Sequence, residues 1–487
     1  MKRGGAICLR QWQDLSTISN CVFAGNTAKY GGAVGNYFST RTDDVSWGGL
    51  FFDCVFTNNA SFSHGGAAFN AGLMRKCKFI GNHLLANFNS SYGAAVYQAH
   101  LLDGCDFVEN GSTEQRYGAV YNYGTYETTN LTIRNCKFIR NIAYTGGAAI
   151  GSGSLGDGCC NTIVKGCLFE SNSLAYDWAN GGAVSLMTNI WDCTFVGNSS
   201  SRCGAAYQST LYGCTFISNR SIRTDVAGAL RECKAYNCTF TGNFAYQGAA
   251  AYMSSLVGCV ISNNDTVAHN QTGRVLEHCM VDSCRIQDET SDGVIFAGRC
   301  YVTNTLVTGC EGNGYTFLVG HNASCTQTLV NCTIVSNNFT RFVNWYNNTG
   351  DVHVVNSLFF GNTVGGNAYD FDSSATNCLK SITNSVFAVS SASCLPDGAL
   401  DAGAGNYNYA GTAFNPKFAG ERVDPKNPFA LRRGSPCVKT YHGLVQDWMA
   451  AATDIRGDGF PRLRDGRVDI GCYQCWEVVP GLVITVR

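Results

Sequence analysis

Four aromatic residues occupy one recurring position in the sequence, two residues after a Gly-Ala corner or its equivalent. They are Phe69, Tyr97, Tyr121 and Tyr207, and each is followed by an amide: Asn70, Gln98, Asn122 and Gln208. Successive side chains of a strand point to opposite faces. Because small residues precede the rings, we expect the rings to face outward and the amides inward. A row of exposed rings could stack on sugar rings and bind a glycan; the alternative is cross-strand aromatic packing that stabilises a sheet.

Acidic residues could support a different chemistry, the cleavage of acidic polysaccharides. Such enzymes use paired carboxylates, or a calcium ion beside a basic residue. One candidate stretch is the loop from Asn36 to Asp44, which contains Asp43 and Asp44. The second candidate comprises Arg285, Asp288, Glu289, Asp292 and Arg299. A run of charges in a loop is more often a solvated face than a catalytic site. A polysaccharide lyase or glycoside hydrolase is therefore the alternative to glycan binding, and a calcium cofactor is expected only for such an enzyme.

The chain has 26 cysteines and eight histidines. No CxxC pair has a matching partner pair, and the histidines share no position in the repeat, so no metal site is predicted. Most cysteines recur at one position, where they could act in redox or soft-metal chemistry or simply fill a corner as small apolar groups. The structural interpretation is preferred, because burial makes a thiol inert. The pairs Cys159–Cys160 and Cys472–Cys475 could be oxidised outside the cell.

These residues lie in a repeat, Cys-x-Phe-x-x-Asn, which runs from Cys21–Asn26 to the weaker copy 385–390. There are 15 units with a mean period of 26 residues, and Cys occupies the first position in 12 of them. A period in the twenties suits one turn of a β-solenoid. Alternation within Cys-x-Phe places Cys and Phe inward, so stacked coils should form ladders of thiols, rings and Asn amides. The repeat predicts an all-β parallel β-helix of about 15 coils.

The distribution of Gly and Pro marks the limits of the solenoid. Gly-Gly-Ala or a near variant follows many units, as at 31–33 and 65–67, and glycine permits a corner with positive φ. All seven prolines lie at or after Pro396, and proline cannot donate to a sheet ladder. We therefore divide the chain into a parallel β-helix domain, residues 1–395, and a small C-terminal cap module, residues 396–487. A cap is expected because an open solenoid end exposes unpaired strand edges.

Composition excludes several classes of protein. Hydrophobic residues make up 45% of the 487 residues and the net charge is −1, so the chain is not disordered. The 34 Lys and Arg against 35 Asp and Glu provide no general attraction to phosphates, so no nucleic-acid partner is predicted. No apolar run approaches the roughly 18 residues that span a bilayer. We expect a monomer without an integral membrane segment.

The repeat also carries a resemblance. The alternation of Phe23-Ala-Gly-Asn26 with Gly31-Gly32-Ala33-Val34 is similar to the repeats of chlamydial polymorphic outer-membrane proteins and other right-handed parallel β-helix proteins of the pectin-lyase-like class. The C-terminal part resembles the bacterial choice-of-anchor Q module. Its motifs are Asn415-Pro416-Lys417-Phe418, Gly434-Ser435-Pro436-Cys437, Asp454-Ile455-Arg456-Gly457 and Asp469-Ile470-Gly471-Cys472-Tyr473. Gln474 stands where an acidic residue is usual.

The resemblance implies an exported bacterial protein, located outside the cell or on its surface. Residues 3–7 already look like the middle of a coil, so we expect the signal and an N-terminal cap to be missing from this chain. The functional prediction is an adhesin or glycan-binding rod that uses Phe69, Tyr97, Tyr121 and Tyr207, with no cofactor. Its partner would be a polysaccharide, or a glycan or protein on a host or neighbouring cell. A purely structural spacer also fits the sequence.

Overall fold

The computed structural model describes residues 3–9, 16–36, 49–85, 91–122, 131–152, 162–187, 189–222, 227–266, 273–289, 294–311, 317–320, 325–345, 350–376, 378–440 and 442–475. The fold is an all-β parallel β-solenoid of about 13 turns, which confirms the predicted fold class. The chain separates into two compact units. The first contains Met1–Ser255 and Asn264–Leu276, and the second contains Leu256–Asn263 and Glu277–Arg487.

Each coil contributes strands to three parallel sheets, which we call sheets A, B and C in chain order. Sheet A follows the Gly-Ala corner, sheet B precedes the repeat cysteine, and sheet C contains Cys-x-Phe. In the first unit, Ala68–Arg75 and Val96–Asp103 run through both A and B. The other strands of sheet A there are Ile7–Leu9, Val34–Asn36, Val120–Asn122, Ile150–Ser152, Val184–Ser185, Ala206–Tyr207, Leu230–Arg231, Ala251–Tyr252 and Arg274–Glu277.

Sheets B and C of the first unit stack in register from coil to coil. The remaining strands of sheet B are Thr17–Ser19, Leu50–Phe52, Thr132–Arg134, Ile163–Lys165, Asn189–Trp191, Thr210–Tyr212 and Lys234–Tyr236. The strands of sheet C are Val22–Ala24, Val55–Thr57, Lys78–Ile80, Asp106–Val108, Lys137–Ile139, Leu168–Glu170, Thr194–Val196, Thr215–Ile217 and Thr239–Thr241. Short strands after the repeat asparagine are Thr27–Ala28, Ala60–Ser61, His83–Leu84, Ile142–Ala143, Ser173–Leu174, Ser199–Ser200 and Arg220–Ser221.

The second unit repeats this arrangement. Its sheet A strands are Val294–Ala297, Leu318–Gly320 and Val343–Trp345, and its sheet B strands are Ser255–Val257, Met280–Asp282, Tyr301–Thr303, Thr326–Val330, Asp351–Val355 and Leu379–Thr383. Sheet C contains Val260–Ser262, Arg285–Gln287, Leu306–Thr308, Thr333–Val335, Leu358–Phe360, Val386–Phe387 and Tyr407–Asn408, and short strands Asn338–Phe339 and Thr363–Val364 follow the repeat asparagines.

The interior of the first unit contains the predicted ladders. Nine phenylalanines stack with neighbouring ring centroids 4.6–5.1 Å apart and planes within 10° of parallel: Phe23, Phe56, Phe79, Phe107, Phe138, Phe169, Phe195, Phe216 and Phe240. The separations match the strand spacing, because in-register strands lie about 4.8 Å apart. Continuous ring-on-ring contact therefore forms one side of the core.

Ten asparagines form a second ladder, from Asn26 to Asn264. Asn110 represents its interior members: its Nδ2 donates to Oδ1 of Asn141 at 3.0 Å and to the carbonyl of Phe79 at 2.9 Å. Its own Oδ1 accepts the backbone N–H and the Nδ2 of Asn82. Each interior amide thus satisfies buried groups of two neighbouring coils, which gives a physical reason for the recurrence of Asn.

The cysteine column is inside, as predicted, except for its first member, Cys21, which is exposed. Cys77, Cys105 and Cys136 are each 1% exposed or less. The backbone N–H of Cys105 donates to Sγ of Cys136 at 3.3 Å, and that of Cys136 donates to Sγ of Cys167 at 3.4 Å. The thiol of Cys136 donates in turn to the carbonyl of Leu102. The column fills a corner between sheets B and C with weak hydrogen-bonding groups.

The segment after the last sheet C strand contains the α-helix Pro436–Lys439 and an antiparallel pair, His442–Gly443 with Val468–Asp469. The 3₁₀ turns of the second unit are Ser373–Ala375, Ala392–Cys394, Ala402–Ala404 and Asp447–Ala450. Apolar residues of this segment pack on the outward face of sheet C of the second unit. Leu431, Cys437 and Ile470 contact Leu358 and Val386 there. The sequence pattern does not predict this lateral contact, and the domain boundary at residue 395 stays a prediction.

Polar contacts hold the same segment in place. Leu444 and Asn356 exchange two hydrogen bonds, at 2.6 and 2.7 Å, and the backbone N–H of Cys472 donates to Thr333 Oγ1 at 2.9 Å. Arg285 donates to the hydroxyl of Tyr473 at 3.1 Å. In the first unit the outward position of sheet C holds exposed Lys78 and Lys137. In the second unit the same outward position of sheet C holds Leu306, Thr333 and Leu358. This difference explains why the segment packs on sheet C of the second unit.

Candidate functional site

Three of the predicted binding rings are buried, which corrects the expectation that they form an exposed row. Phe69, Tyr97 and Tyr121 are 2%, 6% and 3% exposed. They do lie in register on successive strands of sheet A, with centroids 5.2 and 5.8 Å apart. The strand pattern correctly put them in one row, but it could not show that other side chains cover that row.

The cover consists of a second aromatic layer from the segments that precede the Gly-Ala corners. It comprises Tyr30, His64, Tyr92 and Tyr117. The His64 ring lies 4.5 Å from that of Tyr97, and the Tyr92 ring lies 4.6 Å from that of Tyr121. Burial lowers the pKa of His64 to about 4, so this imidazole is neutral at neutral pH. The two layers form an aromatic cluster whose geometry is that of packing.

Tyr207, the fourth predicted ring, has a different environment. It is half-buried and is in register with Arg231 and Tyr252 on the next two strands of sheet A. The guanidinium carbon of Arg231 lies 5.7 Å from the Tyr207 ring centroid and 5.8 Å from that of Tyr252. Arg231 also donates to Asn180 and contacts the carboxylate of Glu232. Tyr207 thus belongs to a cation–π row with a partly open surface.

The amides after the four rings do not share one environment, so the expectation that all face inward is wrong. Asn122 is buried and donates to Thr162 Oγ1 at 2.8 Å, whereas Gln208 is exposed and donates to Glu232 at 2.8 Å. Asn70, Gln98 and Gln208 have φ values of 53°, 53° and 45°. Strand alternation does not extend through a left-handed residue, which is why the rule failed at this position.

An exposed aromatic row that the sequence analysis missed lies on the outward face of sheet B. Trp191, Tyr212 and Tyr236 are in register on three successive strands. The Trp191 and Tyr212 centroids are 3.9 Å apart, those of Tyr212 and Tyr236 are 5.1 Å apart, and the planes of each pair differ by 11°. Trp191 is 39% exposed, and both tyrosines are half-buried. The available signal was an aromatic residue two positions before Cys193, Cys214 and Cys238.

Charged residues continue this row through the preceding coils. Lys165 is the neighbour of Trp191, and Arg134, Asp103 and Arg75 follow in register. The carboxylate of Asp103 bridges Arg75 and Arg134, at 3.0 and 2.9 Å. Hydrogen bonding by Arg134 lowers the pKa of Asp103, so that its charge persists in mild acid. Lys165 has a side chain 65% exposed and only a 3.9 Å contact with Asp192.

The acidic stretches considered for catalysis do not form a site in the described part of the chain. Asp43, Asp44 and Asp292 lie outside the described residues. Arg285 is held by Tyr473 and by Asn427 at 2.6 Å, so it serves the C-terminal segment. Glu289 is buried, whereas Asp288 and Arg299 are exposed. Within the described ranges, no group of three or more His, Cys, Asp or Glu is placed to hold a metal ion.

The thiols have the environment of packing groups. The cysteines in the described ranges are buried, including Cys472 and Cys475, and the exceptions are Cys8 and Cys21. Burial raises the pKa of Cys203 and Cys332 to about 12, because the charged thiolate is poorly solvated there. Cys203 and Cys332 are therefore protonated at neutral pH. Cys159–Cys160 lies outside the described residues.

The described segments contain no helix long and apolar enough to cross a membrane. Comparisons with protein-family models, with curated protein sequences and with solved structures found no match for this chain. The parallel β-solenoid and the surfaces described above are therefore the basis for any functional assignment.

Proposed function

We propose that this protein is an exported bacterial surface protein that binds glycans without cleaving them, using the outward face of sheet B. The observation that carries the proposal is the outward row of Trp191, Tyr212 and Tyr236, in which Trp191 is exposed and which Lys165 continues. Tryptophan and tyrosine supply apolar area together with a polar edge, which suits a ligand rich in hydroxyl groups. Export and surface location are supported by the resemblance to polymorphic outer-membrane repeats and to the choice-of-anchor Q module.

The way in which the rings stack limits how a sugar could bind. Inside the row the face of each ring is covered by the neighbouring ring. A ligand would therefore contact the ring edges and the hydroxyls of Tyr212 and Tyr236. Trp191 is the first ring of the row, and the next position on its other side is Lys165, a flexible chain rather than a ring. We place the anchoring sugar on that face of Trp191, with the tyrosine hydroxyls as hydrogen-bonding groups along the axis.

The test is a glycan-array and polysaccharide-binding screen with the full chain and with Trp191→Ala. Trp178→Ala is the matched control, because Trp178 is 53% exposed, belongs to the same unit and lies outside the row. The guanidinium carbon of Arg202 lies 4.1 Å from the Trp178 ring centroid. We expect binding that Trp191→Ala reduces at least tenfold and Trp178→Ala leaves unchanged. Absence of glycan binding, or equal loss in both variants, would contradict the proposal.

The same preparations test the enzymatic alternative, a lyase or hydrolase of acidic polysaccharide. They are incubated with the polysaccharides with and without calcium, and new reducing ends and unsaturated sugars are measured. Unsaturated sugars, formed by elimination, would support a lyase, and their dependence on calcium would support a calcium site. New reducing ends without unsaturated sugars would support a hydrolase. Binding without products supports the glycan-binding rod.

A further inference from the structure

One pair of neighbouring cysteines in the column combines an exposed thiol with a buried one. Cys21 and Cys54 are free thiols at the same repeat position on adjacent coils of the first unit. Cys21 is exposed, whereas Cys54 and the next members, Cys77 and Cys105, are completely buried. Burial also raises the pKa of the Cys54 thiol, which lowers its reactivity. A dissolved reagent would therefore react first with Cys21.

The backbone places the two cysteines opposite each other. The strands Val22–Ala24 and Val55–Thr57, which follow the two cysteines, are parallel and in register. The stacked phenylalanine rings of these strands have centroids 4.9 Å apart. Neighbouring strands lie about 4.8 Å apart, which is within the range of about 4.4–6.8 Å that the Cα atoms of a disulfide span. The spacing of the two coils thus allows a disulfide between Cys21 and Cys54.

The side chains of the two cysteines stack along the column. Each thiol donates to the carbonyl two residues before it, Cys21 to Ser19 at 3.2 Å and Cys54 to Phe52 at 3.3 Å. The two side chains therefore have the same orientation relative to their strands. Sγ of Cys54 also lies 3.6 Å from the carbonyl oxygen of Ile18, which belongs to the coil of Cys21. The buried thiol is thus directed toward the coil that carries the exposed one.

The position of the pair in sheet C favours bond formation. Within the described residues, Val22–Ala24 pairs with a single strand of this sheet, Val55–Thr57. A strand such as Lys78–Ile80 is instead paired on both sides. A disulfide brings the two Cβ atoms to about 3.8 Å, closer than the strand spacing. A strand with one neighbour can make this adjustment without disturbing a second ladder.

We propose that Cys21 and Cys54 are a site of oxidative modification, at which a small-molecule disulfide such as oxidised glutathione generates a disulfide that fastens the two coils. The thiolate of Cys21 attacks the reagent, forms a mixed disulfide and releases one glutathione. Sγ of Cys54 then attacks Sγ of Cys21 and releases the second glutathione. The protons of the two cysteines pass to the two released thiolates, so the cysteines lose two electrons and the reagent gains them. The glycan surface is not needed for this reaction.

Cys8 provides a matched control in the first unit. It is the other exposed cysteine of the described ranges, but its in-register neighbour in sheet A is Gly35, which has no side chain. Cys8 can form a mixed disulfide with glutathione, but no thiol lies at the opposite position to displace the glutathione. The two exposed cysteines should therefore give different products with the same reagent.

The test treats the reduced full chain with oxidised glutathione and blocks the remaining thiols with iodoacetamide. The peptides are then identified by mass spectrometry without reduction. We expect a peptide pair linked through Cys21 and Cys54, and a glutathione adduct or a blocked thiol at Cys8. Cys8→Ser should leave the link unchanged. Cys54→Ala should leave a stable glutathione adduct on Cys21, and thermal unfolding verifies that this variant is folded.

The products of the unsubstituted chain decide the proposal. A stable glutathione adduct on Cys21 without the linked pair, a link between Cys21 of two copies, or no reaction at Cys21 would each overturn it. Trypsin cleavage after Lys29, an exposed residue of the coil that contains Cys21, measures the effect of the bond. We expect cleavage at least threefold slower after oxidation, with the original rate restored by dithiothreitol. Equal rates would show that the disulfide does not fasten the coil.

Discussion

The indole ring of Trp191 lies face to face with the phenol ring of Tyr212, with centroids 3.9 Å apart and planes 11° from parallel. The contact is possible because the two residues are in register on adjacent parallel strands and both point away from the core. The proposed glycan binding rests on this outward row of rings along one sheet.

The hydroxyl and the ring of Tyr212 should contribute separately. Tyr212→Phe keeps the stack and removes the hydroxyl, so we expect weaker glycan binding with little change in the free energy of unfolding. Tyr212→Ala should also lower that free energy by about 1 kcal/mol, because aromatic pairs contribute roughly 0.5–1.5 kcal/mol beyond area burial. Titration with the best array ligand and urea denaturation measure the two effects. Unchanged binding in Tyr212→Phe would exclude a contact through this hydroxyl.

Tyr97 should matter for stability. The ring is 6% exposed and lies between those of Phe69 and Tyr121. We expect Tyr97→Ala to lower the free energy of unfolding by about 3–5 kcal/mol, the usual cost of removing a buried aromatic ring. Tyr207→Ala, at a half-buried position, should cost less. Urea denaturation compares the two variants, and a larger loss for Tyr207 would show that burial does not govern this row.

The asparagine ladder should be most sensitive in its interior. Asn141→Ala removes an Oδ1 that accepts two N–H groups of Asn110 and an Nδ2 that donates to Asn172 and to the carbonyl of Phe107. Each buried group left unsatisfied costs about 1–3 kcal/mol. Asn26→Ala, at the partly exposed start of the same ladder, should be much milder. Thermal unfolding of both variants gives the comparison; equal losses would mean that the ladder does not act through buried hydrogen bonds.

Asp370 should make stability fall as pH rises toward neutrality. Its carboxylate accepts hydrogen bonds from Asn362, from the N–H of Ala388 and from Tyr409, yet burial dominates and raises its pKa from 3.8 to about 7. The folded state therefore binds the proton more tightly than the unfolded state. This contribution is complete below about pH 4 and is lost as pH rises to 7, a change of about 4 kcal/mol from the pKa difference. Asp370→Asn should remove this pH dependence, measured by urea denaturation from pH 4 to 8.

Thiol reactivity should separate the exposed cysteines from the buried members of the column. Cys8 and Cys21 are exposed, whereas Cys77, Cys105 and Cys136 are buried. Iodoacetamide on the native protein, followed by peptide mass spectrometry, should label Cys8 and Cys21 much faster than the column. The denatured chain is the control and should label all of these sites. Rapid native labelling of Cys105 would contradict the packing role of the column.

Residue type and spacing were sufficient to predict the solenoid. The period of 26 residues, the alternation within Cys-x-Phe and the recurring Asn together predicted parallel coils with inward thiols, rings and amides, and Phe107, Cys105 and Asn110 lie as expected. This succeeds because neighbouring coils of a solenoid are related by the repeat itself. Identical positions must stack at the strand spacing, and the local pattern is therefore also the long-range contact pattern.

Tertiary structure alone decided which outward positions remain exposed. Phe69 and Tyr97 are covered by His64, and Tyr121 is covered by Tyr92, whereas the outward Trp191 of sheet B stays open. The docking of Ile470 against Leu358 likewise joins segments more than a hundred residues apart. Exposure depends on what the rest of the chain places above a strand, and strand periodicity contains no information about that contact.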